Sequence, residues 1–143
     1  MVKALPLHFI CRREKLKLKY KKNILVIDDS KPIRDILWFS LKQEGYKAFL
    51  AESGMQGLKI LFDPENQIDL VILDVMMPKM DGYQVLKKLR SSNQLVSNIP
   101  VIMLTAKSQK EDVLKGIGCG VNDYIVKPYK FPDLLAKIQY QIG

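Results

Sequence analysis

The chain has 143 residues, of which 48% are hydrophobic, and it carries a formal net charge of +8 at pH 7. This length and composition predict one globular domain with a core of ordinary size. The two cysteines, Cys11 and Cys119, have neither a CxxC nor a metal-ligand spacing. They argue against a disulfide framework and a zinc site, and they fit a reducing cytosol.

The positive charge is concentrated at the amino terminus. Residues 1–22 contain eight Lys and Arg residues against Glu14 alone, a net charge of +7 that leaves +1 for residues 23–143. We interpret residues 1–22 as a flexible basic arm and residues 23–143 as the globular domain. The apolar stretch from Leu5 to Cys11 is far shorter than the roughly 20 residues of a membrane span. It also precedes the charge cluster, whereas in a secretory signal peptide the charges come first. We therefore expect a cytoplasmic protein without membrane association.

From Asn23 onward, short apolar runs alternate with amphipathic stretches, a pattern typical of β-α units that form a parallel sheet. The predicted strands are Asn23 to Asp28, Lys47 to Ala51, Leu70 to Asp74, Ile99 to Thr105 and Tyr124 to Val126. The predicted helices begin at an N-cap at Ser30, at a Ser53/Gln56 capping box, after the loop Val75 to Asp81, at a Ser108/Glu111 capping box and near Phe131.

Strands that are apolar at consecutive positions, such as Leu70 to Leu73, need cover on both faces of the sheet. Right-handed crossovers then leave a crevice at the carboxyl edge, where the direction of winding reverses. We therefore predict a doubly wound α/β fold with a five-stranded parallel sheet and five flanking helices.

Four of the predicted strands end in polar residues. These residues are Asp28 with Asp29, Asp74, Thr105 and Lys127. Because the carboxyl ends of parallel strands lie along one edge, we expect these side chains to share one pocket. Three carboxylates close together raise each other's pKa, and a bound cation removes that conflict. Hard oxygen ligands in an incomplete protein shell favour Mg²⁺.

A carboxylate beside such a metal can attack phosphorus and form an acyl phosphate. Asp74 is the predicted nucleophile, because it ends the most apolar strand, whereas Asp28 and Asp29 share one loop as metal ligands. Thr105 and Lys127 would stabilise the phosphoryl oxygens. Each residue alone has an ordinary structural explanation, but together at one edge they predict phosphoryl transfer.

Four segments resemble the signature segments of response-regulator receiver domains, the chemotaxis-regulator-like domains of two-component signalling. The segments are Asp28-Asp29-Ser30, Leu73 to Gly82 (LDVMMPKMDG), Leu104-Thr105-Ala106-Lys107 and Asp123 to Pro128 (DYIVKP). The resemblance extends from Asn23 to the end of the chain. It implies a flavodoxin-like fold with strand order 2-1-3-4-5.

By this resemblance, Asp74 accepts a phosphoryl group from a phosphohistidine on a sensor histidine kinase or phosphotransfer protein, and the chain is a signalling module and not an enzyme. The resemblance also implies the Mg²⁺ ligands. Asp29 and Asp74 bind through their side chains, Asp28 through water and Met76 through its backbone carbonyl.

The resemblance further implies a switch made of Thr105 and Tyr124. The hydroxyl moves to the phosphoryl group and the ring turns inward, which reshapes the surface of the fourth predicted helix, the fifth strand and the fifth predicted helix. Met76 and Lys107 flank the site and modulate the rate. Since Met76 cannot orient a water by hydrogen bonding, we hypothesise that the phosphorylated state is not exceptionally short-lived. The peptide between Lys127 and Pro128 is cis in the family, which X-Pro bonds permit.

Partners follow from the same resemblance. Kinase docking is expected on the first helix around Ile33 and Ile36 and on the loop after Lys127. A phosphorylation-dependent homodimer could form through ion pairs of Asp123, Asp133 and Lys137, although exposed pairs contribute only about 0 to 1 kcal/mol each. An alternative is that the chain is the amino-terminal fragment of a longer DNA-binding response regulator.

Three rival functions are less favoured. A Mg²⁺-dependent phosphatase of the aspartyl-nucleophile type would carry an Asp-x-Asp motif and a cap insertion, whereas Asp28 and Asp29 are adjacent. Nucleotide binding is suggested by the glycines of Gly116 to Gly120. These glycines follow a predicted helix, however, whereas a phosphate-cradling loop precedes the helix that it opens. The basic arm could bind nucleic acid non-specifically, but no helix-turn-helix segment follows, so we do not expect nucleic acid as a partner.

Overall fold

The computed structural model describes residues 22–106, 118 and 120–143. Five strands form one parallel sheet in the order β2-β1-β3-β4-β5. The strands are β1 (Asn23–Ile27), β2 (Lys47–Ala51), β3 (Leu70–Asp74), β4 (Val101–Thr105) and β5 (Asp123–Val126). The predicted doubly wound parallel sheet and its strand order are confirmed.

Four α-helices and one short 3₁₀ helix connect or follow the strands in the described residues. They are α1 (Lys31–Gln43), α2 (Gly54–Phe62), α3 (Gly82–Arg90), the 3₁₀ helix Leu95–Asn98 and α4 (Phe131–Ile142). The helix predicted to open at Ser108 lies outside the described residues. No helix in the part of the chain described here has both the length and the apolarity needed to cross a bilayer.

The helices bury both faces of the sheet, as consecutive apolar residues in the strands require. One face of β1, β3 and β4 packs with α2 and α3, through residues such as Leu25, Leu73 and Met103. The other face packs with α1 and α4, through residues such as Val26 and Ile72. Every residue of β3 and β4 is buried. The polar residues that end these strands are therefore held at the rim of a closely packed core.

Two predicted helix caps differ from the observed ones. Ser30 occupies the N-cap position of α1, but its side chain makes no cap hydrogen bond. Its backbone N–H instead donates to Asp28 Oδ1 over 2.9 Å. At α2, Ser53 Oγ accepts from the Gln56 N–H as predicted, but Gln56 Oε1 accepts from the N–H of Glu52 and not from that of Ser53. The predicted capping box is therefore only half formed.

The predicted fourth strand begins two residues later than expected, at Val101 instead of Ile99. Ile99 ends the preceding 3₁₀ helix, where its N–H donates to the Val96 carbonyl. Pro100 follows and has no N–H to offer to a ladder. These two residues together delay the strand.

The start of α3 packs directly against the end of β3. Asp81 and Gln84 form a complete capping box, which the sequence analysis did not single out. The Gly82 N–H donates to the Val75 carbonyl over 2.9 Å. A Cβ at Gly82 would lie only 2.5 Å from the Asp74 carbonyl oxygen and 2.9 Å from Val75 Cα. Glycine therefore allows α3 to pack against the backbone that carries Asp74.

We expect Gly82→Ala to lower the free energy of unfolding by about 1 to 3 kcal/mol, because the new methyl group would collide with backbone atoms that cannot rotate away. Urea denaturation measures the change. Gly118→Ala is the matched control, since a Cβ there meets no described atom within 4 Å. Equal stability of the two variants would contradict the close packing of α3 on β3.

Candidate functional site

Three carboxylates meet at the carboxyl edge of the sheet. Asp28 and Asp29 follow β1, and Asp74 is the last residue of the neighbouring β3. Each offers one oxygen, and these three oxygens lie within 4.8 Å of one another. Asp28 is 1% exposed and Asp74 is 5% exposed, whereas Asp29 is open to solvent. Two of the three charges are thus removed from water.

The two oxygens of Asp28 have different surroundings. Oδ1 accepts the backbone N–H of Ser30. Oδ2 is buried and has no hydrogen-bond partner among the described residues. Among the residues with a described position, Lys127 pairs with this oxygen, and its Nζ lies at 3.7 Å, an ion-pair distance that is too long for a hydrogen bond. This buried carboxylate oxygen accepts no hydrogen bond from the described residues and lies beside two further carboxylates. Together these oxygens are ligands that fit a hard divalent cation such as Mg²⁺.

Lys127 brings a positive charge to the same pocket from the end of β5. Its Nζ donates to Asp74 Oδ1 over 3.0 Å. Its backbone N–H donates to the Thr105 carbonyl over 2.7 Å, which joins the chain after β5 to the end of β4. The Lys127–Pro128 peptide is cis, as the family resemblance implies. Lys127 is thereby held in contact with Asp74.

The surroundings of Asp74 raise the pKa of its carboxyl group above the ordinary value. Burial is the main cause, and the negative charge of Asp28 adds to it. The hydrogen bond and charge of Lys127 act in the opposite direction, and Asp29 raises the pKa further. The carboxylate form of Asp74 is therefore less favourable in the folded protein than that of an ordinary aspartate.

The remaining predicted site residues lie around this pocket or outside the described residues. Thr105 is buried at the end of β4, one residue beyond the position that pairs with Asp74. Tyr124 is half-buried in β5 and packs against the core on the α2 and α3 face. Met76 is 72% exposed in the loop after β3. Lys107 lies outside the described residues, and Gly120 lies at the opposite edge of the sheet, before β5.

Two residues that the sequence analysis missed also border the site. Arg34 Nη1 donates to the Asp28 backbone carbonyl over 2.8 Å, which secures the loop that carries the acidic pair. The pKa of Tyr129 is raised to about 12, first by burial and then by the charges of Asp28 and Asp74. The position of Arg34, one turn into the helix after the acids, is a signal that could have identified it.

An apolar groove of about 510 Å³ adjoins Lys127. Ile33, Ile36 and Leu37 line it from α1, and Pro128, Tyr129 and Phe131 line it from the segment that leads into α4. Ile36 is 64% exposed there. This surface contains the two positions on the first helix that were expected to dock a kinase.

Comparison with known protein families identifies the chain. The response regulator receiver domain family matches residues 24–139, which is most of the sequence. The chain belongs to the response regulator receiver domain family. The receiver domain match covers every strand of the sheet apart from its first residue, Asn23, and it includes the whole acidic pocket.

Solved structures agree with the receiver domain assignment. A CheY-like receiver domain protein from Methanospirillum hungatei is 30% identical, with a TM-score of 0.77 over 85% of this chain and 93% of that one. A receiver domain protein from Clostridium thermocellum is 31% identical, with a TM-score of 0.77 over 85% and 94% of the two chains. The chemotaxis response regulator CheY4 of Vibrio cholerae is 30% identical, with a TM-score of 0.77 over 83% and 97%.

We expect Asp74→Asn to raise the free energy of unfolding at pH 7 in the presence of EDTA. Because the pKa of Asp74 is raised in the folded domain, ionisation of this group weakens folding as the pH rises above the range of an ordinary carboxyl group. Asparagine removes that charge and still accepts from Lys127. The gain should shrink as the pH falls and Asp74 becomes protonated.

Urea denaturation of the wild type and the variant at several pH values measures this difference. Asp63→Asn is the control, because Asp63 is exposed at the far end of α2. A variant that is less stable than the wild type at pH 7 would contradict the electrostatic conflict described for the pocket.

Proposed function

We propose that this receiver domain is the phosphoacceptor of a two-component or phosphorelay system and that Asp74 receives the phosphoryl group. One observation carries the proposal. The buried Asp74 carboxylate lies 3.0 Å from the Lys127 ammonium, and an oxygen of Asp28 and one of Asp29 lie within 4.8 Å of the Asp74 oxygen. Nucleophile, cation and candidate metal ligands are thus gathered on one rim.

The proposed step is the transfer of a phosphoryl group from a phosphohistidine. An oxygen of the Asp74 carboxylate forms a bond to phosphorus while the bond from phosphorus to the donor imidazole nitrogen breaks. The imidazole leaves with the electron pair and then takes up a proton from solvent. The product is an acyl phosphate on Asp74.

Mg²⁺ is proposed as the cofactor, and it would offset negative charge on the three aspartates and on the incoming phosphoryl oxygens. Asp28, Asp29 and Asp74, with the Met76 backbone carbonyl, would hold it. Two features support this: the buried oxygen of Asp28 to which no described residue donates a hydrogen bond, and the raised pKa of Asp74. Both describe a pocket in which the three aspartates carry more negative charge than Lys127 balances.

Thr105 and Lys127 are proposed to stabilise the phosphoryl group, Thr105 through its hydroxyl and Lys127 through its charge. Thr105 and Tyr124 are proposed as the switch that reports phosphorylation to the surface beside β5. The backbone bond from Lys127 to Thr105 supports this, because it joins the ends of β4 and β5 at the pocket. Met76 and Lys107 are proposed to set the lifetime of the acyl phosphate.

The proposed partner is a sensor histidine kinase or a phosphotransfer protein that docks on α1 and on the loop after Lys127. The apolar groove between α1 and that loop supports this assignment, because it ends at the lysine that contacts Asp74. A partner seated there would bring its phosphohistidine to the rim of the pocket. The proposal places the protein in the cytoplasm and includes neither membrane nor nucleic acid as a partner.

A phosphorylation-dependent homodimer through Asp123, Asp133 and Lys137 also stays a prediction. Lys137 Nζ lies 3.0 Å from Asp123 Oδ1 of the same molecule. Dimer pairing through these residues would therefore exchange an existing ion pair for a new one. Since exposed pairs are worth about 0 to 1 kcal/mol, that exchange would make only a small contribution to association.

Two further expectations concern the class of the protein. As a signalling module, the domain should not turn over a generic phosphate ester, in contrast with an aspartyl-nucleophile phosphatase. The alternative that it forms part of a longer DNA-binding regulator leaves the chemistry at Asp74 unchanged and also stays a prediction.

Incubation with Mg²⁺ and acetyl phosphate should add a single phosphate to the wild-type chain, and Asp74→Asn should abolish the adduct because it removes the nucleophile. Intact mass measures both outcomes. Asp63→Asn, far from the pocket, should phosphorylate like the wild type. Labelling that persists in Asp74→Asn would overturn the assignment of Asp74 as the phosphoacceptor. Labelling that is unaffected by EDTA would overturn the proposed need for Mg²⁺.

Met76→Asn should shorten the lifetime of the acyl phosphate by at least about threefold, because an amide can orient an attacking water and a thioether cannot. The wild-type lifetime at pH 7 with Mg²⁺ should be longer than seconds. Decay after removal of acetyl phosphate, followed by intact mass, measures both. Met55→Asn is the control, since Met55 is a similarly exposed methionine on α2 (65% exposed).

A further inference from the structure

Arg90, the last residue of α3, joins three segments at the amino-terminal edge of the sheet. Its guanidinium donates to the Ser97 carbonyl over 2.9 Å, to the Ile99 carbonyl over 2.6 Å and to the Gly120 carbonyl over 3.0 Å. A fourth bond of 2.9 Å reaches Asn122 Oδ1. The planar guanidinium can serve these acceptors at once, whereas a lysine ammonium cannot match the same fork.

Asn122 connects Arg90 to the edge of β4. Its Oδ1 accepts the Val101 N–H over 2.8 Å, and its own N–H donates to the Val101 carbonyl over 3.0 Å. Gly120 has a φ of +87°, and a Cβ there would lie 3.1 Å from Arg90 Nε. The segment that leads into β5 is therefore fitted closely around the arginine.

Asp123, the first residue of β5, is held from the other face of the sheet. Its Oδ1 accepts from Lys137 Nζ of α4 over 3.0 Å. The same oxygen accepts the Tyr124 N–H over 2.8 Å. Because α3 and α4 cover opposite faces, the backbone directly before Tyr124 is fixed from both sides.

We infer that Arg90 is a positioning residue for Tyr124. Together with Lys137, Arg90 holds the backbone of residues 122–124 in place. The change at Tyr124 on phosphorylation is then a rotation of its side chain and not a displacement of β5. This inference rests on the proposed function, since it specifies how the proposed switch moves.

Amide hydrogen exchange of the full chain with Mg²⁺, with and without acetyl phosphate, tests the inference. In the wild type, exchange at residues 122–124 should change by less than about twofold on phosphorylation. In Arg90→Lys and in Asn122→Ala it should become at least about tenfold faster on phosphorylation, because the anchor is weakened. Asn122→Asp keeps the acceptor oxygen and should behave like the wild type, as should Lys88→Met, which alters an exposed lysine on α3.

A second readout follows the ring itself. With 3-fluorotyrosine incorporated, the ¹⁹F resonance of Tyr124, assigned through Tyr124→Phe, should move on phosphorylation of the wild type. A merely structural clamp would speed exchange in the variants equally with and without acetyl phosphate. That result would overturn the inference. So would a wild type in which phosphorylation changes the amide exchange of residues 122–124 and leaves the ¹⁹F resonance of Tyr124 unmoved.

The mass of each sample separates failure of this inference from failure of the proposed function. If the wild-type chain takes up phosphate and the amide exchange of Arg90→Lys and Asn122→Ala responds to phosphorylation as that of the wild type does, only the role of Arg90 is wrong. A wild-type chain that takes up no phosphate removes the proposed function, and with it the switch that Arg90 is inferred to support.

Discussion

The structure depends on one electrostatic conflict, the burial of the Asp28 and Asp74 carboxylates side by side with Lys127 as the cation that contacts them. The apolar strands that build the core carry these carboxylates to its rim, so the same burial that stabilises the sheet also makes the charges costly. Lys127 hydrogen-bonds Asp74 but reaches Asp28 Oδ2 only at 3.7 Å. The pocket is therefore suited to accept a cation, since a bound cation would relieve its excess negative charge.

The pocket is connected to the rest of the domain through the two ends of β5. At the carboxyl end, Lys127 contacts Asp74 with its side chain and Thr105 with its backbone. At the amino end, Arg90 and Lys137 hold the residues before Tyr124 from opposite faces. A strand that is fixed at one end and sensitive to the chemical state of the pocket at the other is suited to passing a local change to the surface through its side chains.

The differences from the sequence-based predictions concern side chains that reach across local structure. A serine before a helix normally caps it, but at Ser30 the cap bond is absent and Asp28 accepts the serine N–H instead. Arg90 carries no motif signal, because two of its acceptors, the Gly120 carbonyl and Asn122 Oδ1, lie in a segment that only the fold brings near it. The late start of β4 follows from Pro100, whose effect on the ladder depends on which neighbour the strand pairs with.

The sequence by itself determined the parallel α/β architecture, the strands to within about two residues, and the set of acids, hydroxyl and lysine that ends four of them. Hydrophobic periodicity and chain direction are local properties, and parallel pairing forces the carboxyl ends to one edge. Only the tertiary structure decided which oxygen of Asp28 accepts the Ser30 N–H, how far Lys127 stands from each carboxylate, and which residues hold β5. Those facts depend on interatomic distances between segments that are far apart in the chain, and packing sets such distances where residue order does not.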